Sequence, residues 1–158
     1  MRSRICYMAM AMMVAALPVA AVEYEGEKSV LIEMQYEICP VPPQEKEAAA
    51  KGIRVIGVKE AKRLHDKGAY FYDAREKRHF NAGHIKGAKT IDFDRSKAQF
   101  VAIELPKDKK ENLVFYCYGE SCANSYEAAL AVKKEGYHNV YWMLNGYNRW
   151  KKNGYPMQ

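Results

Sequence analysis

Short apolar runs alternate with segments of helical periodicity over residues 52–158. The apolar runs predict strands at 54–56, 69–73, 89–91, 113–117 and 139–143. The intervening segments predict a helix from 58 to Gly68, a helical turn at 76–80, a helix within 93–105 that Pro106 stops, a helix that closes near Gly136, and a final helix at 147–152. Strands that alternate with helices are typical of a parallel sheet, so the pattern predicts an α/β fold.

The first 21 residues have the pattern of a secretory signal peptide. Arg2 and Arg4 give a charged start, residues 5–17 are uncharged and mostly apolar, and residues 19–21 offer small side chains for cleavage near Ala21. The apolar run is shorter than the ~20 residues that cross a bilayer, and an uncleaved anchor is the alternative interpretation. We therefore expect an exported chain with no stable membrane span after cleavage, periplasmic or secreted, in an oxidising compartment where disulfides persist.

Residues 22–51 form a predicted N-terminal extension that packs over a single domain at 52–158. The extension holds a proline-rich stretch after Cys39, which favours an extended path, and then a short helix-forming segment at 44–51. A chain of 158 residues is long enough for one domain with a real core and too short for two. The net charge of +6 comes without a basic run interleaved with aromatics, so nucleic-acid binding is not expected.

The stretch 113–130 joins an apolar strand to a helix through a tight loop, and Cys117 stands where the strand ends. Such a loop directs backbone N–H groups inward, beside a helix N-terminus that favours negative charge. We therefore expect the Cys117 side chain to be stabilised as a thiolate, its reactive form. The backbone N–H groups that would cradle an anionic sulfur belong to Tyr118, Gly119, Glu120, Ser121, Cys122 and Ala123.

Loss of the signal peptide would remove Cys6 and leave Cys39, Cys117 and Cys122. An odd number of cysteines in an oxidising compartment implies at least one free or intermolecularly paired thiol. Cys39 is either a lone thiol, the interpretation that we favour, or a partner of a loop cysteine. Cys122 is either a small buried residue of the first helical turn or a resolving thiol that forms a disulfide with Cys117.

Several motifs, in the right order, resemble the rhodanese family over about residues 52–156. They are similar to its Asp-x-Arg and Phe-x-x-Gly-His-Ile-x-Gly-Ala signature, its nucleophile-bearing strand end and its closing motifs: Asp73-Ala74-Arg75, residues 80–88, Tyr116-Cys117, Gly136-Tyr137, Asn139-Val140, and Asn145-Gly146 with Trp150. The chain looks like the exported single-domain form with a second loop cysteine. The resemblance implies a five-stranded parallel sheet with helices on both faces, and transfer of sulfane sulfur through a persulfide on Cys117.

The loop departs from the family pattern five residues after the nucleophile, where many rhodaneses carry an arginine and this chain has Cys122. No lysine or arginine follows Cys117 until Lys133, and Glu120 adds a negative charge. That charge should disfavour the thiolate and repel an anionic donor such as thiosulfate. The missing arginine also argues against phosphatase activity, which needs a Cys-x5-Arg loop to bind phosphate.

The other polar candidates are interpreted as structural. Asp73 and Arg75 are predicted to form an ion pair that braces the loop, and His84 to bond backbone rather than act as a base. Tyr118 is expected to be exposed and to wall the pocket or limit which donors enter. The remaining histidines, His65, His79 and His138, lack the spacing typical of metal ligands. Neither a metal nor another cofactor is therefore expected.

Three functional hypotheses remain open. The first is an exported rhodanese-like sulfurtransferase that exchanges sulfur between Cys117 and a small sulfur compound or a protein thiol. The second is a thiol-disulfide or peroxide-reducing protein that uses Cys117 and Cys122 as a redox pair. The third is a non-catalytic binding module that has kept the fold and lost the cation of its loop.

Overall fold

A computed structural model describes residues 45–94, 97 and 99–158. The predicted signal peptide, Cys39 and most of the predicted extension lie outside these residues. In chain order the elements are α1 (Glu45–Ala50), β1 (Arg54–Ile56), α2 (Val58–Asp66), β2 (Tyr70–Asp73), α3 (Lys77–Asn81), β3 (Lys89–Thr90), β4 (Asp92–Asp94), β5 (Gln99–Ala102), β6 (Asn112–Tyr116), α4 (Asn124–Lys134), β7 (Asn139–Met143) and α5 (Gly146–Lys152). Within the described ranges, no helix has both the length and the apolar character that a membrane span requires.

Five of the strands form one parallel sheet, in the order β1-β7-β6-β2-β3. β6 is the central strand and pairs with β7 on one side and β2 on the other. The register places Asp73, the last residue of β2, beside Tyr116, the last residue of β6. The chain segments that follow β2 and β6 therefore leave the sheet at the same edge, where ligands bind in open α/β sheets.

Each face of the sheet carries its own core because successive side chains of a strand point to opposite faces. In β6, Leu113 and Phe115 pack with residues of α1 and α4, including the fully buried Ala48. Val114 and Tyr116 pack on the other face with residues of α2 and α5. The predicted fold class, a five-stranded parallel sheet with helices on both faces, is confirmed.

The predicted helix within 93–105 is wrong, because the structure has the antiparallel pair β4 and β5 there. The Asp94 carboxylate accepts a hydrogen bond from the Lys97 N–H at 3.3 Å, a side-chain contact that favours a turn between the two strands. Phe100 then packs against the first core, whereas the next side chain, Val101, is 65% exposed. This alternation suits a strand lying on the core, so tertiary packing overrides the local helical preference.

Candidate active site

The loop 117–123 connects the end of β6 to the start of α4 and carries both cysteines of the described residues. Cys117 and Cys122 are each only 1% exposed, and a disulfide joins them. Their Cα atoms are 6.3 Å apart, within the range of about 4.4 to 6.8 Å that a disulfide spans without moving the backbone. The loop thus brings the predicted nucleophile and the predicted second thiol into direct contact.

The N-terminus of α5 holds the start of this loop through backbone contacts. The Tyr147 N–H donates to the Cys117 carbonyl at 2.8 Å, and the Asn148 N–H donates to the Tyr118 carbonyl at 3.1 Å. These are N–H groups of the first helical turn, which have no partner inside their own helix. The first two carbonyls of the loop are therefore fixed by the helix that follows β7.

Gly146 makes this approach possible. Its φ is +60°, and a Cβ atom there would lie 2.6 Å from the Cys117 carbonyl oxygen and 2.7 Å from the Gly119 nitrogen. Any side chain would push the loop away from α5 and would also strain the backbone. The Asn145-Gly146 pair, recognised in the sequence only as a motif, is thus the support on which the cysteine loop rests.

One of the backbone N–H groups predicted to hold an anionic sulfur is already hydrogen-bonded within the loop. The Cys122 N–H donates to the Gly119 carbonyl at 3.2 Å and closes a turn across residues 119–122. Among the described residues, no backbone carbonyl accepts a hydrogen bond from the N–H groups of residues 119–121 or of Ala123. These groups remain for an anionic sulfur, and their role stays a prediction.

Glu120 is exposed, and its carboxylate is held by the side chain of Asn145. The Asn145 Nδ2 donates to Glu120 Oε1 at 3.0 Å, while its Oδ1 accepts from the Val58 N–H at 3.3 Å. Val58 is the first residue of α2 and Asn145 directly precedes α5. The Asn145 amide therefore links the Glu120 carboxylate to the N-terminus of α2.

Asp73 and Arg75 form a buried ion pair at the end of the neighbouring strand β2. Asp73 is fully buried and Arg75 is 4% exposed. The Arg75 Nη2 donates to Asp73 Oδ2 at 2.7 Å and its Nε to Asp73 Oδ1 at 3.0 Å, while Nη2 also reaches the Gly83 carbonyl at 2.8 Å. Burial lowers the pKa of the Arg75 guanidinium, but the hydrogen bond and charge of Asp73 outweigh it and hold that pKa above its ordinary value.

Arg75 also contacts the cysteine loop through aromatic rings. Its guanidinium carbon lies 3.6 Å from the ring centre of Tyr147 and 5.7 Å from that of Tyr118. Tyr118 is partly buried rather than exposed, because its ring also meets the His79 imidazole edge-on at 5.2 Å. Sequence reasoning assigned Tyr147 no role, although it touches the loop through its backbone and Arg75 through its ring.

His84 braces the loop that follows α3. Its Nδ1 is 3.0 Å from the Phe80 carbonyl and its ring stacks on that of Phe80, while its backbone exchanges two hydrogen bonds of 2.9 Å with Gln158. Tyr116, at the end of β6, accepts a hydrogen bond from the next residue of this loop, Ile85, at 3.2 Å. Burial of the Tyr116 phenol raises its pKa well above the ordinary value, so it stays neutral.

A cleft of about 330 Å³ lies beside this assembly. Its polar lining comes from the segment between β2 and α3, from the first residue of α3, from β3 and β4 and from the first residue of α4: Arg75, Glu76, Lys77, Thr90, Asp92 and Asn124. The Asn124 Oδ1 atom is buried and accepts no hydrogen bond from any described residue. Across all the residues that the structure describes, no group of three or more His, Cys, Asp or Glu side chains is placed to hold a metal ion.

Comparison with known proteins gives one family. The model of the rhodanese-like domain matches residues 57–153. The thiosulfate sulfurtransferase GlpE of Pseudomonas aeruginosa strain LESB58 is 32% identical over 96 residues, which are 61% of this chain and 82% of that protein. The protein of the same name from Pseudomonas paraeruginosa is 30% identical over the same shares.

Solved structures resemble the fold at lower identity. A Bacillus halodurans protein superposes with a TM-score of 0.55 at 18% identity, over 72% of this chain and 82% of its own. A Rhodopseudomonas palustris protein of unknown function, described as a possible tyrosine phosphatase, gives 0.54 at 24% identity over 71% and 89%. At these identities the likeness shows the fold alone.

Proposed function

The chain belongs to the rhodanese-like domain family, and we propose that it is a sulfurtransferase in which Cys117 carries sulfane sulfur as a persulfide. The proposal rests on the position of Cys117, directly after the central strand and at the start of the loop that leads into α4. A thiolate there is the nucleophile, and the loop N–H groups are the donors that would hold the anionic sulfur. The Pseudomonas relatives are named for thiosulfate, so thiosulfate is the first donor to test.

The reaction needs two displacements. The Cys117 thiolate attacks the outer sulfur of thiosulfate, the S–S bond of the donor breaks, and sulfite leaves with the electron pair. The terminal sulfur then lies on Cys117 as a persulfide anion, beside the N–H groups of Gly119, Glu120 and Ser121. A small nucleophile such as cyanide, or the thiol of another protein, removes that sulfur and regenerates the thiolate.

Electrostatics shape which donors the site accepts. The loop contains no lysine or arginine, and Arg75, the buried cation of the described residues, is paired with Asp73. Stabilisation of the anionic sulfur therefore falls to backbone N–H dipoles instead of a free charge. We expect thiosulfate, a dianion, to load Cys117 more slowly than persulfides or polysulfides of lower charge.

A thiocyanate assay tests the function directly. Reduced protein with thiosulfate and cyanide should yield thiocyanate well above the protein-free rate, and Cys117→Ser should not exceed that rate. Cys39→Ser removes one thiol outside the loop and is the matched control, with expected activity close to that of the unchanged protein. Equal activity of the Cys117→Ser protein would overturn the proposal.

Export is a further part of the proposal, supported by the charged start, the apolar run and the small residues at 19–21. Expression of the full chain in a bacterium, followed by fractionation and mass spectrometry, should give a periplasmic or secreted protein cut near Ala21. A cytoplasmic protein that keeps residues 1–21 would contradict export and leave the sulfur chemistry untouched.

The Cys117–Cys122 disulfide favours a second candidate function, a thiol-disulfide or peroxide-reducing protein. Such a protein would oxidise its two thiols with a disulfide or peroxide substrate and lose two hydrogens, with no need for a sulfur donor. Intact mass before and after addition of peroxide or oxidised glutathione measures this. Loop thiols that stay reduced under both treatments would exclude this candidate.

A further inference from the structure

We propose that Cys122 resolves the Cys117 persulfide, so that the protein releases sulfane sulfur as hydrosulfide and keeps the Cys117–Cys122 disulfide as its oxidised product. This inference rests on the proposed loading of Cys117 with sulfur. It adds a second product to the reaction and a reductant that the cycle requires. The acceptor is then a part of the chain itself rather than an external molecule.

The geometry places the second thiol within reach of the first. The Cα atoms are 6.3 Å apart with five residues of sequence separation, and the two sulfurs are bonded. Attack by Cys122 on the Sγ atom of Cys117 therefore requires no rearrangement of β6 or α4. That sulfur is the one whose attack expels the terminal sulfur and forms a disulfide.

Both ends of the loop are fixed to rigid elements. The Cys117 carbonyl is bonded to the N-terminus of α5, and Cys122 stands two residues before the first residue of α4. A thiol held in this way reacts as an intramolecular nucleophile, with an effective concentration far above that of any dissolved acceptor. Once the persulfide forms, Cys122 is the first nucleophile that it meets.

Burial strengthens this advantage. Both cysteines are 1% exposed in the disulfide form, within a loop that is hydrogen-bonded to Asn145 and to the N-terminus of α5. A bulky external thiol has to displace part of the loop before it reaches the sulfur on Cys117, whereas Cys122 is already inside. Intramolecular resolution therefore competes well with every acceptor except the smallest, such as cyanide.

The charge distribution also disfavours a long-lived persulfide. No lysine or arginine lies between Cys117 and Lys133, and the Arg75 charge is neutralised by its contact with Asp73. A persulfide anion in such a loop lacks the fixed cation that would stabilise it as a resting state. Expulsion of hydrosulfide carries that negative charge out of the buried loop.

The step balances with the atoms present. The Cys122 sulfur, whose proton passes to the leaving sulfur, bonds to the Cys117 Sγ, and the bond between Sγ and the terminal sulfur breaks. The terminal sulfur leaves as hydrosulfide with the electron pair. Two thiol sulfurs are oxidised to a disulfide and the sulfane sulfur is reduced by two electrons. Another turnover requires a dithiol protein of the thioredoxin type, which displaces part of the loop to reach the Cys117–Cys122 disulfide and reduces it by exchange.

A single-turnover experiment separates resolution from storage. Protein is reduced, freed of reductant without oxygen, mixed with thiosulfate, whose leaving group is sulfite, and analysed for hydrosulfide and by intact mass. The unchanged protein should lose two hydrogens and release close to one hydrosulfide per chain. Cys122→Ser should instead gain one sulfur atom and release at least about tenfold less hydrosulfide in the same time.

The outcomes distinguish the inference from the function beneath it. If neither protein takes up sulfur nor releases sulfite or hydrosulfide, sulfur loading of Cys117 is wrong. If the unchanged protein keeps one extra sulfur atom and forms no Cys117–Cys122 disulfide, loading is right and resolution is wrong. Because this last measurement is made on the unchanged protein, it stands even if Cys122→Ser fails to fold; Cys122→Ala is the second variant.

The reductant gives an independent test in multiple turnover. Thioredoxin with its reductase and NADPH should raise hydrosulfide output of the unchanged protein from about one to many per chain. Cys122→Ser cannot form the intramolecular disulfide, so its oxidation of NADPH should depend on direct attack by thioredoxin and be slower. Equal NADPH oxidation by the two proteins would overturn the resolving role.

Discussion

The ends of β2 and β6 leave the sheet side by side but are built in different ways. Asp73 pairs with Tyr116 in the register, and the Ala74 N–H donates to the Tyr116 carbonyl at 2.8 Å. Beyond β2, the chain is held by a buried ion pair whose charges are satisfied by each other and by the Gly83 carbonyl. Beyond β6, the loop is held by backbone hydrogen bonds to α5 and by its own disulfide.

The residues after β2 hold the shape of the site, whereas the loop after β6 carries the two cysteines. The charges at the β2 end are committed to one another, so they fix the shape of the site and leave little free charge for an anionic ligand. The backbone contacts at the β6 end position the loop without using its sulfurs. The site therefore has a rigid, nearly neutral frame around two bonded cysteines, and the proposed exchange between sulfur atoms suits it better than binding of a highly charged substrate would.

Removing Asp73 should have the largest effect on stability. Asp73→Ala leaves the Arg75 guanidinium buried without its partner, and we expect the free energy of unfolding to fall by about 4 kcal/mol. Urea unfolding measures the loss. Asp66→Ala is the matched control, because it breaks the exposed pair with Lys62 and should leave the unfolding midpoint almost unchanged. Similar losses in both variants would contradict the special role of the β2 end.

Substitution of Gly146, on which the cysteine loop rests, should reduce stability nearly as much. Gly146→Ala places a Cβ against the loop backbone at positive φ, and we expect it to cost about 3 kcal/mol and to lower the rate of sulfur loading. Gly68→Ala is the matched control, with φ +82° and no atom within 4 Å of the added Cβ. It should cost about 1 kcal/mol and leave loading unchanged. Equal effects of the two substitutions would show that loop contact plays no part.

The sequence predicted the sheet because its strands are contiguous apolar runs. It predicted that Cys117 stands at the end of a strand because a motif marks the end of that run. It missed the β4–β5 pair, since Phe100 and Val101 acquire inside and outside positions only when the segment lies on the core. It also missed the contact of Gly146 with Cys117, which joins residues distant in sequence. Such contacts depend on how α5 packs, and local patterns contain no information about that packing.

A smaller effect is expected at Tyr116, which links the two strand ends. Tyr116→Phe leaves the Ile85 N–H without its acceptor and should cost about 1 kcal/mol at neutral pH. The pKa of the Tyr116 phenol is raised, so folding favours its neutral form. The stability that comes from this preference is present below about pH 10 and is lost as pH rises toward the folded pKa. Urea unfolding from pH 7 to pH 11 should show a shallower alkaline decline for Tyr116→Phe. Parallel declines in the two proteins would contradict this assignment.

The smallest effect tests whether the charge of Glu120 reaches the sulfurs. Glu120→Gln keeps an oxygen for the Asn145 amide and removes the charge, so stability should hold while loading from thiosulfate rises about twofold at low salt. Glu111→Gln removes the same charge just before β6, at the opposite end of the strand, and should leave the rate unchanged. Stopped-flow measurement of sulfite release from reduced protein, at low and high ionic strength, reports both. A gain confined to Glu120→Gln and abolished by salt would show that this carboxylate acts on the loop through space, whereas equal gains would assign the effect to net charge alone.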